Sequence, residues 1–282
     1  MNNRTSVKRL FWDIETSPNV MYSWRAGYKL DLGPHLIIKE RKVITIAWKW
    51  EGESKVHALT WDENQDDRKM LIEFAKVAHE ADELIAHYGD GFDMPWFRTR
   101  CLIHGLTPLP AYKTIDTKAW ASKYFYFNSN KLDYLGSVLG HGHKLHTEWD
   151  LWEGVMNKVP GKLEYMVKYN KQDVVLLEKV WNNLRFCVAP KTHSGVMDGL
   201  AAWTCPHCAS TRVTKDKTRI TATGRRQHQM KCTPCGSYYT INETTFEAYL
   251  KKDDPKPKVA AKEIPGRSGS TIRPASLKRG AS

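Results

Sequence analysis

One predicted helix carries a carboxylate in the middle of its apolar face. Residues 163–184 have helical spacing, and Tyr169 and Asp173 lie four apart on one face. That face continues through Met166, Leu177, Val180 and Leu184. A buried carboxylate must find a cation, a metal or several hydrogen-bond donors, or else take up a proton. Tyr169 alone is more typical of a core aromatic whose hydroxyl finds a partner.

The strand predicted near the start of the chain carries two more carboxylates. Residues 8–14 have the composition of a buried strand, and successive side chains of a strand point to opposite faces. Asp13 and Glu15 therefore point to one face, about 7 Å apart, while Ile14 points to the other. An ordinary strand end is the simpler interpretation of this pattern alone, because Thr16-Ser17-Pro18 follows at once.

A third acidic position, Asp93, falls between a short strand at 83–87 and a helix at 95–104. Aspartate before a helix with proline in its first turn is a good N-cap, so capping explains Asp93 without any function. Asp90, in the same Gly-rich loop, is a competing carboxylate.

The acidic positions gain weight because they occur together. Strands alternate with helices, which indicates an α/β sheet, and the three motifs can converge at one edge of it. Four converging carboxylates would repel by about 4 kcal/mol for each close pair at an effective dielectric near 20. Two divalent cations cancel four negative charges, and oxygen ligands favour Mg²⁺ or Mn²⁺ over zinc.

The chain resembles the DEDD superfamily of 3′-5′ exonucleases, which is DnaQ-like, in its tyrosine-bearing (DEDDy) branch with the RNase H-like fold. The likeness covers about residues 7–187 and is greatest to phage-encoded stand-alone exonucleases. One departure is Tyr88, where many relatives place Asn after the His. The motifs that carry the likeness are residues 11–16, Asp93, Tyr169-x3-Asp173, residues 115–117 and 131–136, and, for the phage enzymes, residues 13–19 and 144–147.

The resemblance implies two-metal hydrolysis of phosphodiesters. The residues implied to hold two ions about 3.5 to 4 Å apart are Asp13, Glu15, Asp93 and Asp173. Tyr169 would orient the attacking water through its hydroxyl.

Two CxxC pairs predict a structural zinc site in a small β ribbon. Thiolates separated by two residues in tight turns chelate one tetrahedral Zn²⁺. Disulfides or a redox CxxC are the alternatives, and a cytosolic chain disfavours them. Cys101 and Cys187 are expected to be buried thiols. The predicted zinc ligands are Cys205, Cys208, Cys232 and Cys235.

The formal net charge of +12 is uneven along the chain. Residues 1–200 carry 27 basic and 25 acidic side chains, whereas residues 251–282 carry 9 and 3. This asymmetry favours a C-terminal part that binds nucleic acid over a tail kept basic for solubility. The predicted nucleic-acid contacts of the ribbon are Arg219, Arg225, Arg226 and Lys231, and protein docking is the alternative role.

A long loop at 17–42 lacks an obvious regular element and holds Tyr22, Trp24, Arg25 and Tyr28. Trp24 and Arg25 are candidate contacts to a single strand, although such side chains could equally cover the sheet edge.

Composition divides the chain into four parts: an RNase H-like α/β domain with a mixed central sheet flanked by helices (1–190), a linker (191–203), a zinc ribbon (204–250) and a disordered basic tail (251–282). The apolar stretches are too short for a membrane span, and the start lacks a signal-peptide core, so we expect a soluble cytoplasmic protein, in the host cell if phage-encoded.

The sequence thus predicts a Mg²⁺-dependent 3′-5′ exonuclease that acts on single-stranded or frayed DNA 3′ ends, with ribbon and tail aiding binding. An exoribonuclease with the same site is one alternative, because acidic motifs do not distinguish a 2′-hydroxyl. A non-catalytic nucleic-acid-binding protein or replisome adaptor is the other. A DNA polymerase or other replisome protein is a further candidate partner.

Overall fold

The computed structural model describes residues 7–27, 30, 32–106 and 110–253. Tyr28 and all but the first three residues of the predicted basic tail lie outside the described residues.

Strands and helices alternate through most of the described chain. Its ten strands are β1 (Arg9–Thr16), β2 (Val20–Met21), β3 (Ile37–Lys39), β4 (Val43–Trp50), β5 (His57–Thr60), β6 (Glu83–Ala86), β7 (Thr114–Asp116), β8 (Val213–Ile220), β9 (Arg226–Cys232) and β10 (Tyr238–Asn242). Its eight α-helices are α1 (Arg68–His79), α2 (Asp93–Ile103), α3 (Thr117–Tyr124), α4 (Leu132–Val138), α5 (Trp149–Met156), α6 (Lys162–Leu184), α7 (Ser194–Met197) and α8 (Glu243–Leu250).

A five-stranded sheet of order β5-β4-β1-β6-β7 forms the centre of the main domain. β1 pairs antiparallel with β4 and parallel with β6, so the sheet is mixed. Helices α1 and α2 cover one face, and α6 covers the other. The predicted fold class, a mixed central sheet flanked by helices, is confirmed.

Alternation along β1 decides which residues can form a site. Leu10, Trp12 and Ile14 belong to the core under α1 and α2. Phe11 belongs to the opposite core, where its ring meets Trp181 of α6 edge-on at 5.2 Å between centroids. Because strand side chains alternate, the carboxylates two and four residues beyond Phe11 also project to the α6 side.

The loop at 17–42 contains more regular structure than the sequence predicts. β2 and β3 pair antiparallel, and a short 3₁₀ turn at Pro34–Leu36 precedes β3. These strands have two and three residues, which is too short for a hydrophobic period to be visible. Helices α3 and α5 were likewise not predicted.

The C-terminal part forms a separate three-stranded antiparallel sheet of order β10-β9-β8, followed by α8. The segment at 191–203, predicted as a linker, includes α7 and packs against its neighbours. Ser194 donates its backbone N–H to the Pro206 carbonyl at 2.9 Å, and Arg185 at the end of α6 donates to the His207 carbonyl at 3.3 Å. None of the helices in the described part of the chain has the length and apolar character that a membrane span needs.

Gly136 in α4 allows the close approach of the loop that follows it. A Cβ at this position would lie 2.7 Å from a Leu176 methyl group and 2.8 Å from the Gly142 carbonyl oxygen. Leu176 can rotate, but the backbone carbonyl cannot move without shifting the 139–148 loop.

We expect Gly136→Ala to lower the free energy of unfolding by about 1 to 3 kcal/mol in urea titrations. Ser137→Ala, on the exposed side of α4, is the matched control, and equal stability of the two variants would contradict this packing.

Candidate active site

Three of the predicted carboxylates converge between β1 and α6. Carboxylate oxygens of Asp13, Glu15 and Asp173 lie within 4.8 Å of one another, and we call these three residues the carboxylate cluster. The strand supplies two of them on one face, and the helix supplies the third from the centre of its buried stripe.

Asp93 accepts a hydrogen bond from the backbone of β1, between the two carboxylates of that strand. It is the first residue of α2 rather than its N-cap, and its Oδ1 accepts the N–H of Ile14 at 3.0 Å. Ile14 lies between the two carboxylates of β1. The capping alternative is therefore wrong, because no side-chain hydrogen bond caps α2 and the Asp93 carboxylate points to the strand instead. The competing carboxylate, Asp90, is exposed.

Two residues that were not among the predicted site residues contact the cluster. Lys144, in the loop before α5, places its Nζ 2.5 Å from Asp173 Oδ2 and 4.8 Å from the centroid of the Tyr169 ring. Asn170 of α6 donates from Nδ2 to Asp13 Oδ2 at 2.6 Å. Asn170 could have been found from its position beside Tyr169, whereas the loop around Lys144 has no periodicity that indicates a contact.

Burial and mutual repulsion raise the pKa values of these carboxyl groups. Burial and then the charge of Asp173 raise the pKa of Glu15 to about 8. Burial raises the pKa of Asp93 to about 7, against the Ile14 hydrogen bond that lowers it. The pKa of Asp13 is also well above its usual range, through burial and the charge of Asp93. Shifts of this size at a cluster are typical of functional sites.

The cluster fits a divalent metal by its donor set. Oxygen ligands of this type suit Mg²⁺ or Mn²⁺. The buried Oδ1 of Asp173 has no hydrogen-bond partner among the described residues, although Lys144 contacts the other oxygen. One ammonium group cannot balance three converging carboxylates plus Asp93. An unpartnered buried oxygen is costly unless a cation satisfies it.

A second acidic group differs from the carboxylate cluster because the protein itself balances its charge. Asp66, Asp67 and His104 also bring possible ligand atoms together. Asp67, however, accepts two hydrogen bonds from Arg100, both at 2.8 Å, and one from the Val43 N–H at 2.9 Å. Its charge and its hydrogen bonds are satisfied by the protein, so this group is a structural ion pair.

The four cysteines of the C-terminal sheet also converge, as one group within 4.8 Å. The sulfur atoms of Cys205 and Cys235, and those of Cys208 and Cys232, lie 3.6 Å apart. That separation is far longer than the roughly 2.05 Å of a disulfide and fits two thiolate pairs around one ion. Outside this group, Cys101 is buried as expected, but Cys187 is exposed because it ends the 3₁₀ turn after α6.

The predicted nucleic-acid contacts fall in two places. Trp24 and Arg25 are exposed in the loop after β2, and the Trp24 side chain is free of packing. The ribbon residues Arg219, Arg225, Arg226 and Lys231 lie on or beside the β8–β9 hairpin. Seven of the eight residues of β8 are exposed, so this hairpin projects a basic strand into solvent.

Residues 34–167 match the model of a protein family described as a predicted 3′-5′ exonuclease related to the exonuclease domain of PolB. The matched range contains Asp93 and Lys144 and ends just before Tyr169. The enzyme class that the resemblance implies, a 3′-5′ exonuclease, is confirmed by this match. No curated protein matches the chain.

Among solved structures, the family B DNA polymerase of the hyperthermophilic archaeon Pyrobaculum calidifontis is similar to this chain. The similarity has a TM-score of 0.49 and 16% sequence identity, and it covers 64% of this chain. The chain matches only 24% of the length of that polymerase.

The raised pKa values predict how stability depends on pH without added metal. A carboxyl group whose pKa is higher in the folded state binds its proton more tightly there, so folding is weakened as pH rises from its unfolded pKa to its folded pKa. For Glu15 that window runs from 4.5 to about 8. In Mg²⁺-free buffer, the unfolding temperature should fall between pH 5 and pH 8, and Glu15→Gln should reduce the fall. Glu63→Gln, at an exposed site, is the control, and identical pH profiles for both variants would contradict the shift.

Proposed function

We propose that this protein is a metal-dependent 3′-5′ exonuclease that hydrolyses phosphodiester bonds of DNA by a two-metal-ion mechanism. The observation that carries the proposal is the convergence of Asp13, Glu15 and Asp173, with a buried oxygen of Asp173 that lacks a hydrogen-bond partner among the described residues. The match to a predicted 3′-5′ exonuclease family supports the same conclusion.

Four carboxylates would hold the metal ions in this proposal: the carboxylate cluster and Asp93. Divalent ions in such a site activate a water molecule and stabilise the leaving oxygen. Asn170 fixes the orientation of the Asp13 carboxylate through its 2.6 Å hydrogen bond, and Ile14 fixes that of Asp93. Preset orientations of this kind reduce the reorganisation that catalysis requires.

Tyr169 and Lys144 have separate proposed roles. Tyr169 lies four residues before Asp173 on α6, and burial raises the pKa of its phenol above the usual range, so its hydroxyl stays protonated. A protonated hydroxyl beside the cluster can donate to or accept from the attacking water and orient it. Lys144 supplies positive charge to Asp173 and would remain charged, because the charge of Asp173 raises the pKa of the ammonium group although burial acts to lower it.

The ribbon is proposed to hold one structural Zn²⁺ through its four cysteines. Apparent zinc affinity of about 10 to 16 kcal/mol can fold a module with a small core. The basic β8–β9 hairpin would then bind the backbone of DNA near its 3′ end, together with Trp24 and Arg25 on the main domain.

The direct test uses end-labelled single- and double-stranded DNA and RNA with Mg²⁺. Stepwise shortening of DNA from the 3′ end is the expected result. Shortening of RNA alone would replace the proposal with an exoribonuclease, and no cleavage would favour a non-catalytic binding protein. Internal cuts would indicate an endonuclease.

Single substitutions separate the proposed roles in the site. We expect Asp173→Ala to reduce Mg²⁺-dependent cleavage by about 10³-fold or more, because it removes a proposed ligand. Tyr169→Phe should leave measurable activity, lower by about 10- to 100-fold, since water would be less well oriented. Initial rates on labelled oligonucleotides measure both effects, with Glu63→Ala, at an exposed position outside the site and the ribbon, as the control. Wild-type rates for Asp173→Ala would remove the carboxylate cluster from the mechanism.

Zinc binding is tested by metal content. We expect the purified protein to contain one Zn²⁺ per chain by elemental analysis. Cys232→Ser should lose the zinc and lower the unfolding temperature, because a serine hydroxyl is a poor replacement for a thiolate ligand. Cys187→Ser, which alters an exposed cysteine outside the group, should keep the zinc. A full zinc complement in Cys232→Ser would contradict the assignment.

A further inference from the structure

A groove begins where β1 leaves the carboxylate cluster. It has a volume of about 570 Å³ and includes Thr16, the residue directly after Glu15. The chain from Thr16 to Asn19 lines one part of it, and Thr147, Glu148, Trp149 and Trp152 line another. The groove therefore begins at the residue next to Glu15 in the chain, beside the proposed catalytic site.

The side chain of Arg41 is fixed in this groove. Its Nη2 donates to Thr16 Oγ1 at 2.6 Å, and its Nε donates to the Ser17 carbonyl at 3.1 Å. Its guanidinium lies 4.7 Å from the centroid of the Trp96 ring. A guanidinium held at two hydrogen bonds and one ring face is preorganised for an anionic ligand.

The described part of the chain does not balance the charge of Arg41. Within the described residues no carboxylate forms an ion pair with Arg41, and burial lowers the pKa of its guanidinium. One acidic residue, Glu148, lines the groove, but its Oε1 lies 3.0 Å from His146 Nε2 and its side chain is mostly in solvent. A half-buried cation without a counter-charge beside a polyanion-cutting site favours a phosphate ligand.

Two tryptophans give the groove its aromatic surface. Trp152 is fixed by a hydrogen bond from its Nε1 to the Thr16 carbonyl at 3.1 Å. Trp149 lines the groove with 64% of its surface exposed. An exposed indole beside a fixed guanidinium is a combination that binds a base and its phosphate.

We propose that this groove is the subsite for the strand upstream of the scissile bond, where Arg41 binds a phosphodiester and Trp149 stacks on a base. The inference rests on the proposed function, because it assigns the groove to the same DNA strand that the cluster cleaves. It also predicts that the enzyme requires a strand with several nucleotides for full affinity, since a mononucleotide cannot reach both the groove and the carboxylate cluster.

The experiment compares two substrates in Arg41→Gln. Binding of fluorescein-labelled oligothymidylate is measured by anisotropy in Mg²⁺-free buffer, at several salt concentrations. Hydrolysis of thymidine 5′-(p-nitrophenyl phosphate), which has one nucleotide and no upstream phosphodiester, is measured with Mg²⁺. We expect the Kd for the oligonucleotide to rise about tenfold and the slope of log Kd against log salt to fall by about 0.7, the loss of one phosphate contact. Hydrolysis of the ester should stay at the wild-type rate.

Trp149→Ala tests the stacking part separately. It should raise the Kd for the oligonucleotide by about fivefold or more and leave the salt slope unchanged, because the indole carries no charge. Arg68→Gln and Leu102→Ala, both at exposed positions outside the groove, are the matched controls and should bind as the wild type does.

Each result decides the proposal. Unchanged affinity and salt slope in Arg41→Gln would overturn the phosphate contact. An equal loss of oligonucleotide binding and of ester hydrolysis would show that Arg41 only positions the cluster. If Arg41→Gln does not fold, Arg41→Lys and Trp149→Ala decide, and wild-type affinity in both overturns the subsite. If the wild type with Mg²⁺ hydrolyses neither the ester nor the oligonucleotide, but binds the oligonucleotide through Arg41, the subsite stands and the proposed nuclease function fails.

Discussion

The site depends on apolar packing that holds mutually repelling carboxylates of β1 and α6 close together. The fold places Asp13 and Glu15 opposite Asp173 through two independent regularities, the alternation of a strand and the 3.6-residue turn of a helix. The surrounding core, with Phe11 against Trp181, prevents the two elements from separating to relieve that repulsion. The apolar packing of the domain thus sustains an electrostatic arrangement that is unfavourable without added cations.

Much of the site was predictable from the sequence, because the periodicities of a strand and a helix locate its residues. The stripe of α6 located Asp173 and Tyr169 on the buried face, and the alternation of β1 separated Ile14 from its acidic neighbours. Asp93 was ambiguous in sequence since capping and ligation use the same residue type. The structure resolved the ambiguity only through a tertiary hydrogen bond, from the N–H of Ile14.

The contacts that could not be predicted come from irregular segments. Lys144 belongs to a loop, and Arg41 follows strands of two and three residues, so neither has a period that indicates its partners. Their positions depend on where the chain returns after α4 and after β3, which is set by packing elsewhere in the molecule. The prediction that Cys187 is buried was wrong for a related reason, because a single turn at the end of a helix decides its exposure.

Charged groups also join the two parts of the chain. Arg9, at the start of β1, pairs with Glu83 at 2.6 Å and with Glu51, which in turn pairs with Arg185. Arg185 donates to the carbonyl of His207, between the first two cysteines of the ribbon. The turn from Cys205 to Cys208 is therefore linked by a hydrogen bond to the charged network at the start of β1. Detachment of the ribbon would admit water to those charges, so the stability of the main domain is coupled to the docking of the ribbon.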